Sequence, residues 1–292
     1  MSLANKIAPI ALAPLSDGLF TQVQFLWKQG RLPDLKDPQT FNEKLQWLKL
    51  NYLDPLQEQC ADKYAVREYV ANRIGKEYLI RMLGLYRSET EIDFDILPEQ
   101  FVLKGTHGSG QVIVCQDKSK LNTIEARNKS GKWLRTNFYR VGRERVYKNI
   151  QPGIIAEEFM EGQDGNPPID YKIFCFHGEP KYIEMDFDRF AQFTKAFYDT
   201  NWNLLNMELE KPAYHSPPVD PPDELHELIE IAKQLSIPFP FVRVDLYAVS
   251  GKVYFGELTF YPGKGVLRFR PEEFDCAFGR ELDLKRVSTS LS

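Results

Sequence analysis

Two acidic residues near the C-terminal end, Asp245 and Glu257, are the side chains whose spacing most directly suggests chemistry. They lie in residues 241–249 and 252–260, two runs rich in β-branched and aromatic residues that predict a hairpin turning at Ser250-Gly251. With a three-residue loop, 250–252, the two carboxylates lie opposite each other on one face. Like charges so placed destabilise a sheet, so a cation between them is expected. Hard oxygen ligands suit Mg²⁺ carrying a nucleotide phosphate.

The loop length decides the register of this hairpin. A three-residue loop predicts the pairs Asp245 with Glu257, Arg243 with Thr259, Tyr247 with Phe255 and Val249 with Val253. The opposite, core-forming face then carries Val244, Leu246, Ala248, Tyr254, Gly256, Leu258 and Phe260. A two-residue loop would shift the register by one residue and place Asp245 opposite Gly256, on the far side from Glu257.

A glycine-rich turn at residues 105–110 (GTHGSG) follows Lys104 in a second predicted hairpin. Backbone amides in such a turn can close over phosphate oxygens. The glycine spacing is that of a P-loop, but Gln111 and Val112 stand where a P-loop needs Lys and Ser or Thr. A protein kinase has its glycine loop before the strand lysine, whereas Lys104 precedes this loop. Both classes are therefore excluded.

The chain is predicted to have three regions: a mostly helical N-terminal region (1–96), a lid region with the glycine-rich turn (97–161) and a C-terminal region with the acidic hairpin (162–292). Thr40 and Glu43 in the first region have the spacing of a helix capping box. The predicted elements of the other two regions are strands at 101–104, 111–115 and 154–160, a hairpin of 170–176 with 181–185, and helices near 121–140 and 223–235. Hairpins mixed with isolated helices indicate α+β lobes rather than one doubly wound sheet.

The bulk composition is that of a globular protein, with 43% hydrophobic residues and a formal charge of −4. This charge argues against a general nucleic-acid binder. The four cysteines are widely spaced, which is typical of buried thiols in a reducing compartment. No apolar run has the length of a transmembrane segment, and two prolines interrupt the apolar stretch 7–15, which disfavours a secretory signal. A cytoplasmic protein is expected.

The order of lysine, glycine-rich flap, acidic hinge and carboxylate hairpin resembles the ATP-grasp family. The matching segments are Lys104-Gly-Thr-His-Gly-Ser-Gly110, Glu157-Glu-Phe-Met160, Asp170-Tyr-Lys172, Arg243-Val-Asp245 and Glu257-Leu-Thr259. Segments 41–47 (FNEKLQW), 61–64 (ADKY) and 255–261 (FGELTFY) are similar to the TupA-like branch, which is named for teichuronopeptide biosynthesis. The resemblance implies an ATP-grasp fold, in which two α+β lobes grip a nucleotide and a helical region precedes them.

The resemblance also assigns residues to ATP. Lys104 would contact the nucleotide phosphates, and the backbone amides that cover them would be those of His107, Gly108, Ser109 and Gly110. The backbone at the hinge would grip the adenine edges through Glu158, Phe159 and Met160. Either Glu157 or Asp170 is expected to reach the adenine amino group or the ribose.

For the metal, the resemblance implies Mg²⁺ held by Asp245 and Glu257. Thr259 stands where the family pattern usually has Asn, and its hydroxyl can coordinate the metal or hold a bound water. Lys172 stands where many relatives have an Arg for the transferred phosphoryl group, and it would act as a point charge rather than a fork. Lys104, Lys172 and Arg243 are the expected catalytic residues.

The implied activity is that of an ATP- and Mg²⁺-dependent ligase that converts a carboxylate into an acyl phosphate, which an amine or similar nucleophile attacks. The TupA-like branch suggests cell-surface polymer biosynthesis and a glutamyl or uronic acid as the acidic substrate, which Arg189, Arg268 and Arg270 would suit. Two alternatives stay open. One is a sugar-transfer enzyme of polysaccharide assembly, using Asp186-Phe-Asp188 as its metal motif, and the other is a non-catalytic nucleotide-binding module.

Overall fold

The computed structural model describes residues 14–162, 168–187, 194–209 and 218–288. Its helices are α1 (Asp17–Gln29), α2 (Phe41–Asn51), α3 (Pro55–Ala61), α4 (Val66–Arg73), α5 (Thr123–Leu134), α6 (Tyr139–Gly142), α7 (Leu225–Ser236) and α8 (Glu273–Glu281). Its strands are β1 (Met82–Tyr86), β2 (Phe101–Gly105), β3 (Val112–Cys115), β4 (Ile154–Glu158), β5 (Asp170–Phe176), β6 (Glu179–Phe187), β7 (Thr194–Asp199), β8 (Glu208–Leu209), β9 (Phe241–Val249), β10 (Lys252–Thr259) and β11 (Phe269–Arg270). The predicted α+β class and the helical N-terminal region are confirmed.

Side-chain caps fix the starts of the first helices. Thr40 accepts a hydrogen bond from the Glu43 amide, and the Glu43 side chain accepts one from the Thr40 amide, which is the predicted capping box of α2. The Ser16 side chain caps α1 by accepting from the Leu19 amide, and Asp54 caps α3, which has Pro55 in its first turn. These caps satisfy amides that the helices themselves leave unpaired.

Four antiparallel strands form a small sheet in the order β1–β4–β2–β3. Its buried cluster includes Phe101 and Leu103 of β2, Ile154 of β4 and Trp133 of α5. The edge strand β1 belongs to the first 96 residues, so the N-terminal region contributes to this sheet. The limits of the three regions stay a prediction.

Five antiparallel strands form a larger sheet in the order β10–β9–β5–β6–β7. Helix α7 packs on β5, β6 and β9. The buried residues Leu228, Ile231, Ala232 and Leu235 follow the spacing of one helix face. Each fully buried Leu or Ile of this kind contributes about 1.5–3 kcal/mol. The charged residues of the site project from the same sheet.

The acidic hairpin, β9 and β10, has a two-residue turn rather than the predicted three-residue loop. Ser250 and Gly251 both have positive φ, 52° and 77°, as a type I′ turn requires. The first pairs are Val249 with Lys252, Ala248 with Val253, Tyr247 with Tyr254 and Leu246 with Phe255. The predicted pairs Val249–Val253 and Tyr247–Phe255 are therefore wrong, and buried Val253 and Phe255 take the core position predicted for Tyr254.

A β-bulge at Gly256 restores the register of the two carboxylates. The pairing shifts between Phe255 and Glu257, so that Asp245 pairs with Glu257 as predicted, and the predicted pair Arg243–Thr259 also forms. A Cβ at Gly256 would lie 2.9 Å from the Asp245 carbonyl oxygen, so the bulge depends on glycine.

Other predicted elements need smaller corrections. The helical stretch near 121–140 is two helices, α5 and α6. Cys60, Cys115 and Cys175 are buried, but Cys276 is exposed. Of the helices in the described part of the chain, none combines the length and apolar character needed to cross a membrane.

Candidate active site

A cleft of about 530 Å³ is lined by residues of the four-stranded and the five-stranded sheet. The small sheet and its turn contribute Val102, Lys104, Ser109, Gly110, Gln111, Val112 and Val114. The end of β4 and the segment after it contribute Glu158, Phe159 and Met160. The large sheet contributes Asp170, Asp245, Tyr247, Gly256 and Glu257. The glycine-rich turn, the hinge and the carboxylate hairpin thus meet at one cleft, although they are far apart in the chain.

The Asp245–Glu257 pair is surrounded by hydrogen-bond donors. Arg243 binds both oxygens of Asp245, through Nε at 2.7 Å and Nη2 at 2.6 Å. Thr259 Oγ1 lies 3.1 Å from Glu257 Oε1, and Lys63 Nζ lies 3.0 Å from Glu257 Oε2. Each of the four carboxylate oxygens therefore has a donor, which allows two like charges to lie side by side on adjacent strands.

The pair fits a divalent metal in the type and placement of its oxygens. Both carboxylates line the cleft. Mg²⁺ prefers oxygen ligands and is commonly bound by one or two carboxylates together with substrate phosphates. Within the described residues, no three side chains of His, Cys, Asp or Glu converge on a metal position. A metal here would be held by Asp245 and Glu257, with the Thr259 hydroxyl beside them, and would need further oxygens from water or substrate.

The two carboxyl groups titrate differently. Burial raises the pKa of Asp245 to about 7, although Arg243 opposes this shift. Burial also acts against the charged form of Glu257, but Lys63 and Arg243 outweigh it and hold the pKa of Glu257 below its usual value. Burial therefore prevails at Asp245, whereas the neighbouring cations prevail at Glu257.

The glycine-rich turn presents only its tip to the cleft. Ser109 and Gly110 are exposed and line it, whereas His107 and Gly108 are buried. His107 Nε2 lies 2.8 Å from the carbonyl oxygen of Trp133 at the end of α5, and burial lowers the pKa of His107. A Cβ on Gly108 would lie 2.7 Å from a neighbouring aromatic ring. His107 thus anchors the turn to α5, and Gly108 permits close packing behind the tip.

Lys104 lines the cleft on the small sheet, and its Nζ lies 2.8 Å from Glu157 Oε2. Arg67 of α4 binds the other oxygen of Glu157 at 3.1 Å and also donates to the Ile80 carbonyl at 2.8 Å. Glu157 is buried behind Lys104 and is not among the residues that line the cleft. The structure therefore places Lys104 at the cleft and Glu157 between two cations that orient its side chain.

The hinge begins at Glu158, the last residue of β4. Glu158, Phe159 and Met160 all line the cleft, together with the apolar side chains of Ile80 and Val102. The Glu158 carboxylate points to Arg81, 2.8 Å away, in an exposed ion pair. An apolar wall beside a strand end with backbone polar groups is suited to a planar base.

Lys172 belongs to a buried network of charges beside Asp245, with which it pairs across β5 and β9. Its Nζ lies 2.5 Å from Asp170 Oδ2 and 2.6 Å from Asp186 Oδ2. Lys195 of β7 extends this network to Asp186 and to Glu184. Two carboxylates thus hold the Lys172 ammonium in place near the Asp245–Glu257 pair, and Asp170 is shared between this network and the cleft lining.

Three cations of the site were not predicted as site residues from the sequence: Lys63, Arg67 and Lys195. Lys63 lies within the segment ADKY, which carried part of the family resemblance, so a signal for it was present. Arg67 follows it by four residues, on α4. Their partners, Glu257 and Glu157, are far away in the sequence, and no local periodicity reports such contacts.

The three arginines proposed to bind an acidic substrate have three different situations in the structure. Arg268 donates to the Lys28 carbonyl from Nε at 2.8 Å and from Nη2 at 2.6 Å, and so caps the end of α1. Arg270 is exposed on β11, and Arg189 lies outside the described residues. In the motif proposed for sugar transfer, Asp186 is engaged by Lys172 and Lys195, and Asp188 also lies outside the described residues.

The family model for TupA-like ATP-grasp proteins matches residues 43–283 of this chain. The chain therefore belongs to the TupA-like ATP-grasp family, and the resemblance seen in its motifs is confirmed. A comparison with curated proteins found no match.

Among solved structures, the chain is similar to D-alanine–D-alanine ligase from Bacillus anthracis complexed with ATP, with 15% identity, a TM-score of 0.42 and coverage of 69% of this chain and 55% of that one. For D-alanine–D-alanine ligase from Helicobacter pylori the values are 14%, 0.43, 78% and 61%. For L-amino acid ligase from Bacillus licheniformis they are 18%, 0.47, 77% and 49%. The chain thus spans about half to three-fifths of the length of these ligases.

Proposed function

We propose that this protein is an ATP- and Mg²⁺-dependent ligase that joins a carboxylate to an amine or similar nucleophile. The observation that carries the proposal is the cleft in which Lys104, the tip of the glycine-rich turn, the hinge and the Asp245–Glu257 pair meet. Membership of the ATP-grasp family supports ATP as the nucleotide. Use of ATP favours the cytoplasm as the place of the reaction.

The proposed reaction has two steps. A carboxylate oxygen of the acceptor attacks the γ-phosphorus of ATP, the bond to the β-γ bridging oxygen breaks, and ADP leaves. The nucleophile then attacks the acyl carbon of the resulting acyl phosphate, phosphate leaves with its oxygen, and the amine loses a proton as the amide forms. Positioning and electrostatics supply most of the catalysis of phosphoryl transfer. Mg²⁺ would neutralise charge on the phosphates.

In this proposal the protein's cations provide the remaining charge. Lys104 would contact the phosphates from the small sheet, and the amides at the tip of the turn (Ser109 and Gly110) would cover them. Lys172 and Arg243 lie beside the metal pair on the large sheet, where they would stabilise charge that develops on the transferred group. Glu158 to Met160 would hold adenine, and Asp170, which lines the cleft, would reach the ribose.

We further propose a glutamyl or uronic acid as the acidic substrate, and cell-surface polymer biosynthesis as the setting. Support comes from the TupA-like family alone. Arg270 is an exposed basic residue that suits an acidic partner, whereas Arg268 is already bound to α1.

A hydroxylamine-trapping screen tests the activity. The protein is incubated with ATP, Mg²⁺, hydroxylamine and a panel of carboxylates, and hydroxamate and ADP are measured. We expect hydroxamate with at least one acid, and none with Glu257→Gln at unchanged melting temperature. If ATP binds but neither product forms with any acid, the protein is a non-catalytic nucleotide-binding module. If a nucleotide sugar binds and ATP does not, the sugar-transfer alternative holds.

A further inference from the structure

Lys63 lies in the short segment between α3 and α4, where backbone contacts fix its position. Its amide donates to the Thr106 carbonyl at 3.0 Å. The preceding Asp62 side chain accepts from the Tyr64 amide at 2.8 Å, which shapes the turn into α4. The Lys63 side chain is 17% exposed and lines the cleft. The N-terminal region therefore places an ammonium group inside the candidate active site.

The ammonium of Lys63 joins two parts of the site that belong to different sheets. Nζ donates to the carbonyl oxygen of Gly108 at 2.9 Å and lies 3.0 Å from Glu257 Oε2. Gly108 is part of the glycine-rich turn, and Glu257 is on β10. One side chain thus holds the turn and the carboxylate hairpin together.

The contact with Glu257 has a direct chemical consequence. A divalent metal bound at the Asp245–Glu257 pair would compete with Lys63 for the negative charge of Glu257. The metal and the ammonium would also repel each other, because both are cations beside one carboxylate. The other donors to the pair, Arg243 and Thr259, are on the hairpin itself. Four close contacts reach the carboxylate oxygens of the pair, two from Arg243, one from Thr259 and one from Lys63. Of these four, only the contact from Lys63 connects the pair to the glycine-rich turn.

We propose that Lys63 is an internal cation that fastens the glycine-rich turn to Glu257 while the metal position is empty, and that a divalent cation entering there displaces the ammonium and loosens the turn. The proposal rests on the proposed function only in taking Glu257 as a metal ligand. It makes Lys63 a positioning residue that couples metal loading to the mobility of the turn.

Two measurements without nucleotide test this coupling. Lys63→Met removes the competing charge, so we expect this variant to bind Mn²⁺ roughly three- to fivefold more tightly than the wild type does. Electron paramagnetic resonance of Mn²⁺ measures the affinity. Amide hydrogen exchange in residues 105–110 should be roughly threefold faster or more, because the turn loses its tether. Lys252→Met is the matched control, since Lys252 is an exposed lysine at the turn of the same hairpin, and it should change neither quantity.

The wild-type protein supplies a test that needs no variant. Saturating Mn²⁺ should speed amide exchange in residues 105–110 and leave exchange in the core of α7 unchanged. Slower or unchanged exchange in the turn would overturn the proposal, as would Mn²⁺ affinity in Lys63→Met no higher than in the wild type.

Glu257→Gln separates this proposal from the proposed function. If this variant loses Mn²⁺ binding while Lys63→Met binds like the wild type, the metal site stands and the tether is wrong. If Glu257→Gln binds Mn²⁺ as well as the wild type does, the metal assignment itself fails, and the tether proposal fails with it.

Discussion

Most buried charges in the described part of this protein have a close partner of opposite sign, but Glu144 and Lys49 differ. Glu144 is buried, and its Oε1 has no hydrogen-bond partner. Lys49 is 1% exposed and donates to two backbone carbonyls, Gly142 and Lys264, each at 3.2 Å. Burial raises the pKa of Glu144 to about 7, against Lys49 and Lys264, and burial lowers the pKa of Lys49 to about 8. Both groups are therefore held in an environment that disfavours their charged forms.

The raised pKa of Glu144 makes stability depend on pH. Between its usual value of 4.5 and about 7, the folded protein keeps a proton that the unfolded chain releases. The free energy of unfolding contributed by this group therefore falls as pH rises through that range and stays low above it.

We expect the unfolding free energy of Glu144→Gln, relative to that of the wild type, to rise by on the order of 1–3 kcal/mol between pH 4.5 and pH 8. Urea unfolding at the two pH values measures this. The exposed Glu99 provides a control, since Glu99→Gln should show no such dependence on pH. A difference between Glu144→Gln and the wild type that is the same at both pH values would contradict the expectation.

At the level of elements, the β9–β10 hairpin shows what the sequence could and could not predict. Alternation along the two runs and the Ser-Gly turn predicted both strands and the Asp245–Glu257 pair. The predicted loop is one residue too long. The bulge at Gly256 shifts the register by one residue, so Asp245 still pairs with Glu257. A bulge produces no periodic pattern in the sequence. A single glycine inside a strand does not identify a bulge either, because such a glycine is also compatible with close packing.

Gly256→Ala tests the bulge. The added Cβ would lie 2.9 Å from the Asp245 carbonyl oxygen and 3.1 Å from the Tyr247 ring. We expect a loss of about 1–3 kcal/mol in unfolding free energy and a tenfold or greater loss of Mg²⁺-dependent nucleotide affinity, because the carboxylates no longer pair. Thermal unfolding and calorimetric titration measure the two effects.

Gly18→Ala is the control for that substitution, because Gly18 lies in α1 with nothing within 4 Å of a Cβ. It should leave nucleotide affinity unchanged and stabilise the helix by up to about 1 kcal/mol. Unchanged affinity in Gly256→Ala would show that the register of the hairpin does not matter for the site.

Helix α2 makes contacts across the molecule that the sequence did not predict. The capping box was evident, but the polar residues that follow it serve contacts across the molecule. Asn42 donates to the Leu267 carbonyl at 2.8 Å, and Gln46 donates to the Lys264 and Gly265 carbonyls at 3.0 and 2.5 Å. With Lys49 they form one face of α2 that holds the segment following the β9–β10 hairpin. Such residues are typical of a solvated helix face in sequence, so only the tertiary structure reveals their partners.

Across the whole molecule, the fold class and several residues that line the cleft were predicted from the sequence because they depend on local patterns. The glycine-rich turn, the hinge and the acidic hairpin each have a recognisable spacing, and the family match confirms the family resemblance that they carry. The contribution of the N-terminal region was not accessible. Lys63 and Arg67 reach Glu257 and Glu157 across long stretches of chain, so the first region completes a site that the sequence assigned to the other two.

The central claim is that Mg²⁺ and ATP bind together between the glycine-rich turn and the Asp245–Glu257 pair. Isothermal titration with a non-hydrolysable ATP analogue tests it most directly, with Mg²⁺, with EDTA, and in Glu257→Gln. We predict one site per chain, with affinity reduced about tenfold or more by either EDTA or the substitution, which corresponds to about 1.4 kcal/mol or more. An equal dissociation constant in all three titrations, or no binding in any of them, would contradict the account.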